Sequence, residues 1–290
     1  MNDLESVFVN ANGIRFHCKT GGKGPLCLFL HGFPDTHLTF HNQAPKLARS
    51  CRVVVPDLRG YGRSDAPPRV SDYRLPTLIE DVRGIIRAFG DEQTSLIAHD
   101  WGATIAVHYA ETYSDTLSCL AVSNGPHLGD YSELVFRKKN LRQFMKSWYI
   151  LMNQVPWLSE HVLAAADFAL LERLLKYYTV RKGSFSDDYM EAWKEQLRLS
   201  GLRGGVNYYR AGLGSVRNYM SGERKDGLVT CPVKVIWAKD DKALEPCLAR
   251  SLARHVNANF ELRMMENCGH WLQHEAPEEY YRELMGFLGI

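Results

Sequence analysis

The feature that most constrains this chain is a set of short, unbroken apolar runs. "PLCLFLHGF" (25–33), "CRVVVPDLRG" (51–60), "TSLIAHD" (94–100) and "LSCLAVSNG" (117–125) hold their apolar residues consecutively rather than alternately. A strand reads that way when both of its faces are buried, as in a parallel sheet. Intervening segments have helical spacing: "FHNQAPKLARS", "TIAVHYAETY" and "LPTLIEDVRGIIRAFG", where Leu78, Ile79, Val82, Ile85, Ile86 and Phe89 form one stripe. Ahead of them, "VFVNANGIRFHCKTGG" reads as a hairpin turning at Asn12 and Gly13. The pattern predicts an α/β architecture: a mostly parallel, doubly wound sheet with helices on both faces.

The rhythm changes after His127. From 131 to about 222 the patterns are helical, clearest in "SELVFRKKNLRQFMKSWYILMNQ", "HVLAAADFALLERLLKYY" and "DYMEAWKEQLRLSG". Strand–helix alternation resumes with "CPVKVIWAKDD", "PCLARSLARHV", "FELRMMENCGH" and "PEEYYRELMGFL". This predicts a core split in two, 1–128 and 223–290, with a helical cap at 129–222 inserted between the halves. Clefts between such units are favoured binding sites.

Composition narrows the function classes. With 45 % hydrophobic and 23 % charged residues and a net charge of +2, the 290-residue chain gives no reason to expect nucleic acid or an acidic membrane surface. Arg137, Lys138 and Lys139 read as a solvated helix face. No stretch reaches the roughly 18 consecutive apolar residues of a membrane span, and the N-terminus lacks a signal-peptide pattern. Seven cysteines, an odd number without a CxxC pair, fit a reducing cytoplasm. A monomer or homodimer without cofactor or metal is expected. "TGGKGP" departs from a phosphate loop and reads as a turn. His37 and His41 are four apart, but Leu38 stands where the metalloprotease motif needs Glu.

Chemistry concentrates at "SLIAHDWGATIAVHYA" (95–110), where a strand runs into a helix through Asp100. Ala98, Gly102 and Ala103 are small enough for the tight turn that lifts a nucleophile above a sheet edge. Asp100 could equally cap the helix. Its partners favour the first reading. Asp240 and Asp241 follow one later strand and His270 follows another, which gives the order nucleophile, acid, histidine. A carboxylate nucleophile forms an ester, and the histidine could activate water to hydrolyse it.

"HGFPD" (31–35), "PDLRGYGRSDAP" (56–67), "HDWGA" (99–103), "WAKDD" (237–241) and "CGHW" (268–271) together resemble the α/β-hydrolases, and in particular the epoxide hydrolase branch. The resemblance implies Asp100 as nucleophile, His270 as base and Asp241 as its acid, with Asp240 as fallback. It implies an oxyanion hole from the Phe33 and Trp101 N–H groups, and His31, Pro34 and His99 around the substrate pocket. Epoxide hydrolases also carry one cap tyrosine five residues before Gln-x-Pro and another within Asn-aromatic-Tyr-Arg. "YILMNQVP" and "VNYYRA" match, which assigns Tyr149 and Tyr209 as proton donors to an epoxide substrate, while Tyr177, Tyr178 and Tyr208 read as packing. Haloalkane and haloacid dehalogenases of the same fold are the alternative, and a non-catalytic ligand-binding homologue is a more distant one. Phe33 lacks the side-chain donor of the former, and Trp101 and Thr104 occupy places where the latter carry arginines. Ala98 and Ala238 replace common glycines, and Asn153 and Trp157 are expected to reshape the substrate channel.

Overall fold

The structure, a computed structural model, describes every residue except 2, 91–92 and 223–226. The expected start of the second core half, at 223, therefore lies outside the described residues. The apolar runs form strands: β1 (Glu5–Ala11), β2 (Ile14–Gly21), β3 (Leu26–Leu30), β4 (Arg52–Pro56), β5 (Thr94–His99), β6 (Leu117–Ser123), β7 (Val233–Ala238) and β8 (Phe260–Met265). They make one sheet in the order β1-β2-β4-β3-β5-β6-β7-β8. Every pair from β4 to β8 is parallel, and only β1–β2 and β2–β4 are antiparallel. Asn12 (φ 45°) and Gly13 (φ 77°) make the hairpin turn, where both central residues need positive φ.

Side chains alternate across each strand, so one sequence feeds two cores. Leu28, Val54, Leu96 and Val122 pack on one face with Leu78, Ile79, Val82, Ile85 and Ile86 of the helix Leu75–Ala88. Cys27, Val53, Val55 and Ile97 pack on the other face with Tyr280 and Leu284 of the helix Pro277–Leu288. Six of the seven free cysteines are buried, five of them in these two cores, and Cys247 alone is exposed. No helix among the described residues is long and apolar enough to cross a membrane.

Between β6 and β7 the elements among the described residues are helices joined by loops, but the long patterns break where the sequence has no glycine or proline. The first splits into Leu128–Ser132, a π-turn at Glu133–Arg137, Leu141–Lys146 and Trp148–Met152. Lys139 has φ 51°, and Asn140 restarts the helix by accepting the Gln143 N–H at 2.9 Å. The second pattern, Leu158–Tyr177, leaves helical geometry at Ala165–Phe168. There Phe168 turns into a cluster with Leu171 and Trp193, while Asp167 meets Arg198 of the helix Asp187–Ser200 at 2.8 Å. The first break is a local one, set by the Asn140 cap, whereas at the second tertiary contacts outweigh local propensity. The helix Arg203–Ser221 completes the block. Two other expected helices are short: 44–47 follows a 3₁₀ turn at 37–40, and 247–251 precedes one at 252–255.

Asp100 sits between β5 and the helix Trp101–Tyr113 with φ 55° and ψ −123°, a conformation costly for any side chain. It makes no side-chain cap hydrogen bond, so the helix-cap alternative fails. The turn is possible because Gly102 passes close to β3. A Cβ there would lie 2.2 Å from the Leu30 carbonyl oxygen. Gly102→Ala should cost about 3 kcal/mol or more, measured by chemical denaturation. Gly286→Ala, in a helix with nothing within 4 Å of the new methyl, should instead stabilise by about 0.5–1 kcal/mol.

Candidate active site

The carboxyl ends of β3, β5, β7 and β8 deliver Phe33, Asp100, Asp241 and His270 to one edge of the sheet. Phe33 N–H donates to Asp100 Oδ1 at 2.7 Å. This approach needs Gly32, where a Cβ would fall 2.1 Å from the same oxygen. His270 Nε2 stands 3.5 Å from Asp100 Oδ2, and its Nδ1 stands 2.8 Å from Asp241 Oδ2. Asp240, the fallback acid, is exposed, whereas Asp241 is buried against the imidazole.

Burial disfavours charge on all three groups, yet their mutual attraction prevails. The Asp100 carboxyl is held below the ordinary range because His270, then His99 and the Trp101 amide, outweigh its desolvation. Asp241 is lowered for a similar reason, with His270 and the Ala243 and Leu244 amides offsetting burial. Those amides donate to Oδ1 at 2.6 and 3.0 Å. His270 resists desolvation through Asp241 and Asp100 and is raised to about 10. The resting site is therefore a carboxylate–imidazolium–carboxylate row.

Tyr149 and Tyr209 face this row from the helical block, their rings 5.7 Å apart and nearly perpendicular. Burial raises both phenols well above their usual value, and the Asp100 charge adds to it, so both keep their protons at neutral pH. The two sequence motifs around them grip each other. Gln154 Nε2 donates to Ile150 O at 2.9 Å and Tyr209 O at 3.3 Å, and Arg210 donates to Asn153 O at 2.9 Å.

Two chambers share Asp100, Tyr149 and Tyr209 as common walls. One continues along Trp101, Leu128 and Val216, the other along Pro34, Leu175 and Trp271. Apolar walls with a few converging polar groups are the usual form of a small-molecule site.

His31 and His99, expected around the pocket, do not reach it. Both are fully buried. His31 Nε2 accepts the Leu58 N–H at 2.9 Å, and His99 Nε2 donates to the His270 carbonyl at 2.8 Å. They brace the loops that carry the site instead of lining its cavity. Pro34 does line it. His37 and His41 part company: His37 Nδ1 lies 2.7 Å from Asp57, while His41 Nδ1 lies 3.1 Å from Leu38 O. Asn153 lines the second chamber, and Trp157 lies outside both linings.

Sequence reasoning missed Asn124, which follows β6 with φ 40°. Its Nδ2 donates to Asp241 Oδ2 at 2.5 Å, and its Oδ1 accepts the Ala238 N–H at 3.0 Å. The only hint was an Asn-Gly pair at a strand end. Asn124→Ala leaves a buried carboxylate short of one donor, so thermal denaturation should show a loss of about 2 kcal/mol.

Comparison with known proteins agrees with this geometry. The profile of the alpha/beta hydrolase fold family matches residues 25–277. An AB hydrolase superfamily protein of Bacillus subtilis is 34 % identical over 96 % of this chain and 95 % of its own. Epoxide hydrolase 3 of Xenopus tropicalis is 32 % identical over 96 % of this chain and 75 % of its own. The crystal structure of a Bacillus megaterium epoxide hydrolase with an inhibitor superposes with a TM-score of 0.88 at 27 % identity, covering 98 % of this chain and all of that one. The chain belongs to the α/β-hydrolase family and, within it, to the epoxide hydrolase branch.

Proposed function

We propose that this protein hydrolyses epoxides to vicinal diols through an ester on Asp100. The observation that carries the reading is that a nucleophile-ready carboxylate and two protonated phenols share the walls of both apolar chambers. Asp100 attacks a ring carbon, the carbon–oxygen bond breaks, and Tyr149 or Tyr209 gives the alkoxide its proton. Ester formation removes the Asp100 charge, so His270 loses one of its two anionic partners and becomes a stronger acid. Its released proton restores the tyrosine. Neutral His270, oriented by Asp241, then deprotonates a water that attacks the ester carbon. The oxyanion is held by the Phe33 and Trp101 N–H groups. On collapse the departing diol oxygen takes the proton from His270. The new Asp100 carboxyl then recharges the imidazole, which closes the cycle.

Residues 129–222 act in this reading as a cap over the core halves 1–128 and 223–290. A monomer or homodimer is the accompanying proposal, and the seven free cysteines support a cytoplasmic location for it.

A single turnover in heavy-oxygen water should place label in the Asp100 carboxylate, read by peptide mass spectrometry, and unlabelled Asp100 overturns the ester route. Tyr149→Phe with Tyr209→Phe should slow diol formation by about 10²–10⁴-fold or more. Acidification should separate the two steps. Asp100, with its lowered pKa, stays charged near pH 5, so the ester still forms there. In the free enzyme His270, raised to about 10 by Asp241 and Asp100, is protonated at about pH 5 and about pH 8 alike. In the ester the Asp100 charge is gone, the His270 pKa falls, and acid then keeps the proton that blocks the attack of water. Rapid-quench mass spectrometry should therefore find ester accumulating at about pH 5 and not at about pH 8.

A further inference from the structure

One stretch of the helical block is unusual in both charge and exposure. Residues 137–158 contain five Lys or Arg and no Asp or Glu, although the whole chain carries a net charge of only +2. Lys138 meets Glu133 at 3.0 Å, and Arg142 and Lys146 meet Glu245 at 3.1 and 2.7 Å. Two outside carboxylates thus face five cations, which leaves the stretch clearly positive. In a solvated helix face the rest of the surface would be polar. Here it is apolar: Leu141 and Met145 on one short helix, Trp148 and Leu151 on the next, then Trp157 and Leu158 at the turn beyond. Trp157 is 71 % exposed, with φ 67°, at the tip where the chain reverses into the next helix.

Large exposed apolar side chains interleaved with cations mark a surface that is covered in use. A second copy of this chain would fit the apolar part but not the charge. A two-fold interface would bring the Arg137 to Lys146 cluster of one protomer onto the same surface of the other, where like charges repel. An anionic lipid surface satisfies both features, since acyl chains take up Trp and Leu while headgroups take up Lys and Arg. The helix Trp148–Met152 links this face to the cavity. Trp148 and Leu151 are exposed, while Tyr149, Ile150 and Met152 line the chambers.

We propose that residues 137–158 form a lipid-docking face that seats the protein on anionic membrane surfaces, in the manner of an interfacial protein with no span. The inference does not depend on the catalytic reading. If that reading also holds, the face would bring the chambers within one helix of a reservoir of apolar substrate.

The test is co-sedimentation of the full chain with phosphatidylcholine vesicles, with and without phosphatidylserine. Partitioning to the anionic vesicles should exceed that to neutral ones by about tenfold or more and weaken in high salt. Trp157→Ser with Leu158→Ser, and separately Lys138→Glu with Lys139→Glu, should each reduce it by about tenfold or more. Turnover of a small water-soluble epoxide should be unchanged in both variants. Their exposed positions leave the core intact, and circular dichroism checks this. Absence of binding to anionic vesicles overturns the proposal, as does binding that neither variant alters. A concentration-dependent dimer that the variants abolish, in protein that ignores vesicles, overturns it in favour of self-association. Since vesicle binding needs no turnover, failure here and failure of the epoxide reading are separately visible.

Discussion

The site is organised around the contact between the Asp100 carboxylate and the Phe33 amide, 2.7 Å apart at the top of the sheet. To make it, a carboxylate must stand at positive φ, a glycine must precede the amide, and another glycine must let the elbow helix slide past β3. None of these is locally favourable. They persist because β3 and β5 are neighbouring buried strands whose register is set by apolar packing on both faces. The stability of the core thereby maintains strain at the site.

Charge balance follows from the same contact. A buried Asp100 would favour its neutral form if it stood alone. Its amide donors and His270 keep it charged, and Asp241, itself held by Asn124 and two backbone amides, keeps His270 charged. The row is coupled, so a change at one end moves the other. In the proposed reaction this coupling lets ester formation on Asp100 turn His270 from an imidazolium into a base without any movement of the backbone.

The helical block contributes in a different way. Tyr149 and Tyr209 lie on separate helices, and their positions agree because Gln154 and Arg210 hydrogen-bond across to the partner segment. The two short motifs make sense as one interlocked unit. The same block turns its other side outward, and there the sequence between 137 and 158 carries cations and bare apolar side chains in place of a solvated surface.

Much of this was legible in the chain itself. Unbroken apolar runs such as 26–30 and 94–99 specify strands, because consecutive burial is compatible with a two-faced sheet. Asp100, an acid at 240 or 241 and His270 stood out because each follows a strand and their order suits a nucleophile, an acid and a base. Asp241, Tyr149 and Tyr209 were singled out by the resemblance of their short motifs to those of epoxide hydrolases. Tertiary structure decided the rest. His99 and Asp100 are adjacent in sequence, yet the strand-to-helix turn sends one imidazole into the core and the carboxylate into the cavity. His31 is similarly drawn to the Leu58 amide. The helix break at Ala165–Phe168 has no glycine or proline to announce it, since it arises from contacts with Trp193 and Arg198, whereas the restart after Lys139 is marked locally by the Asn140 cap. Asn124 gains its role only when β6 and β7 lie side by side. Local patterning specifies which elements form and which chemistry is available; direction and partnership depend on what the folded neighbours place within about 3 Å of each polar atom.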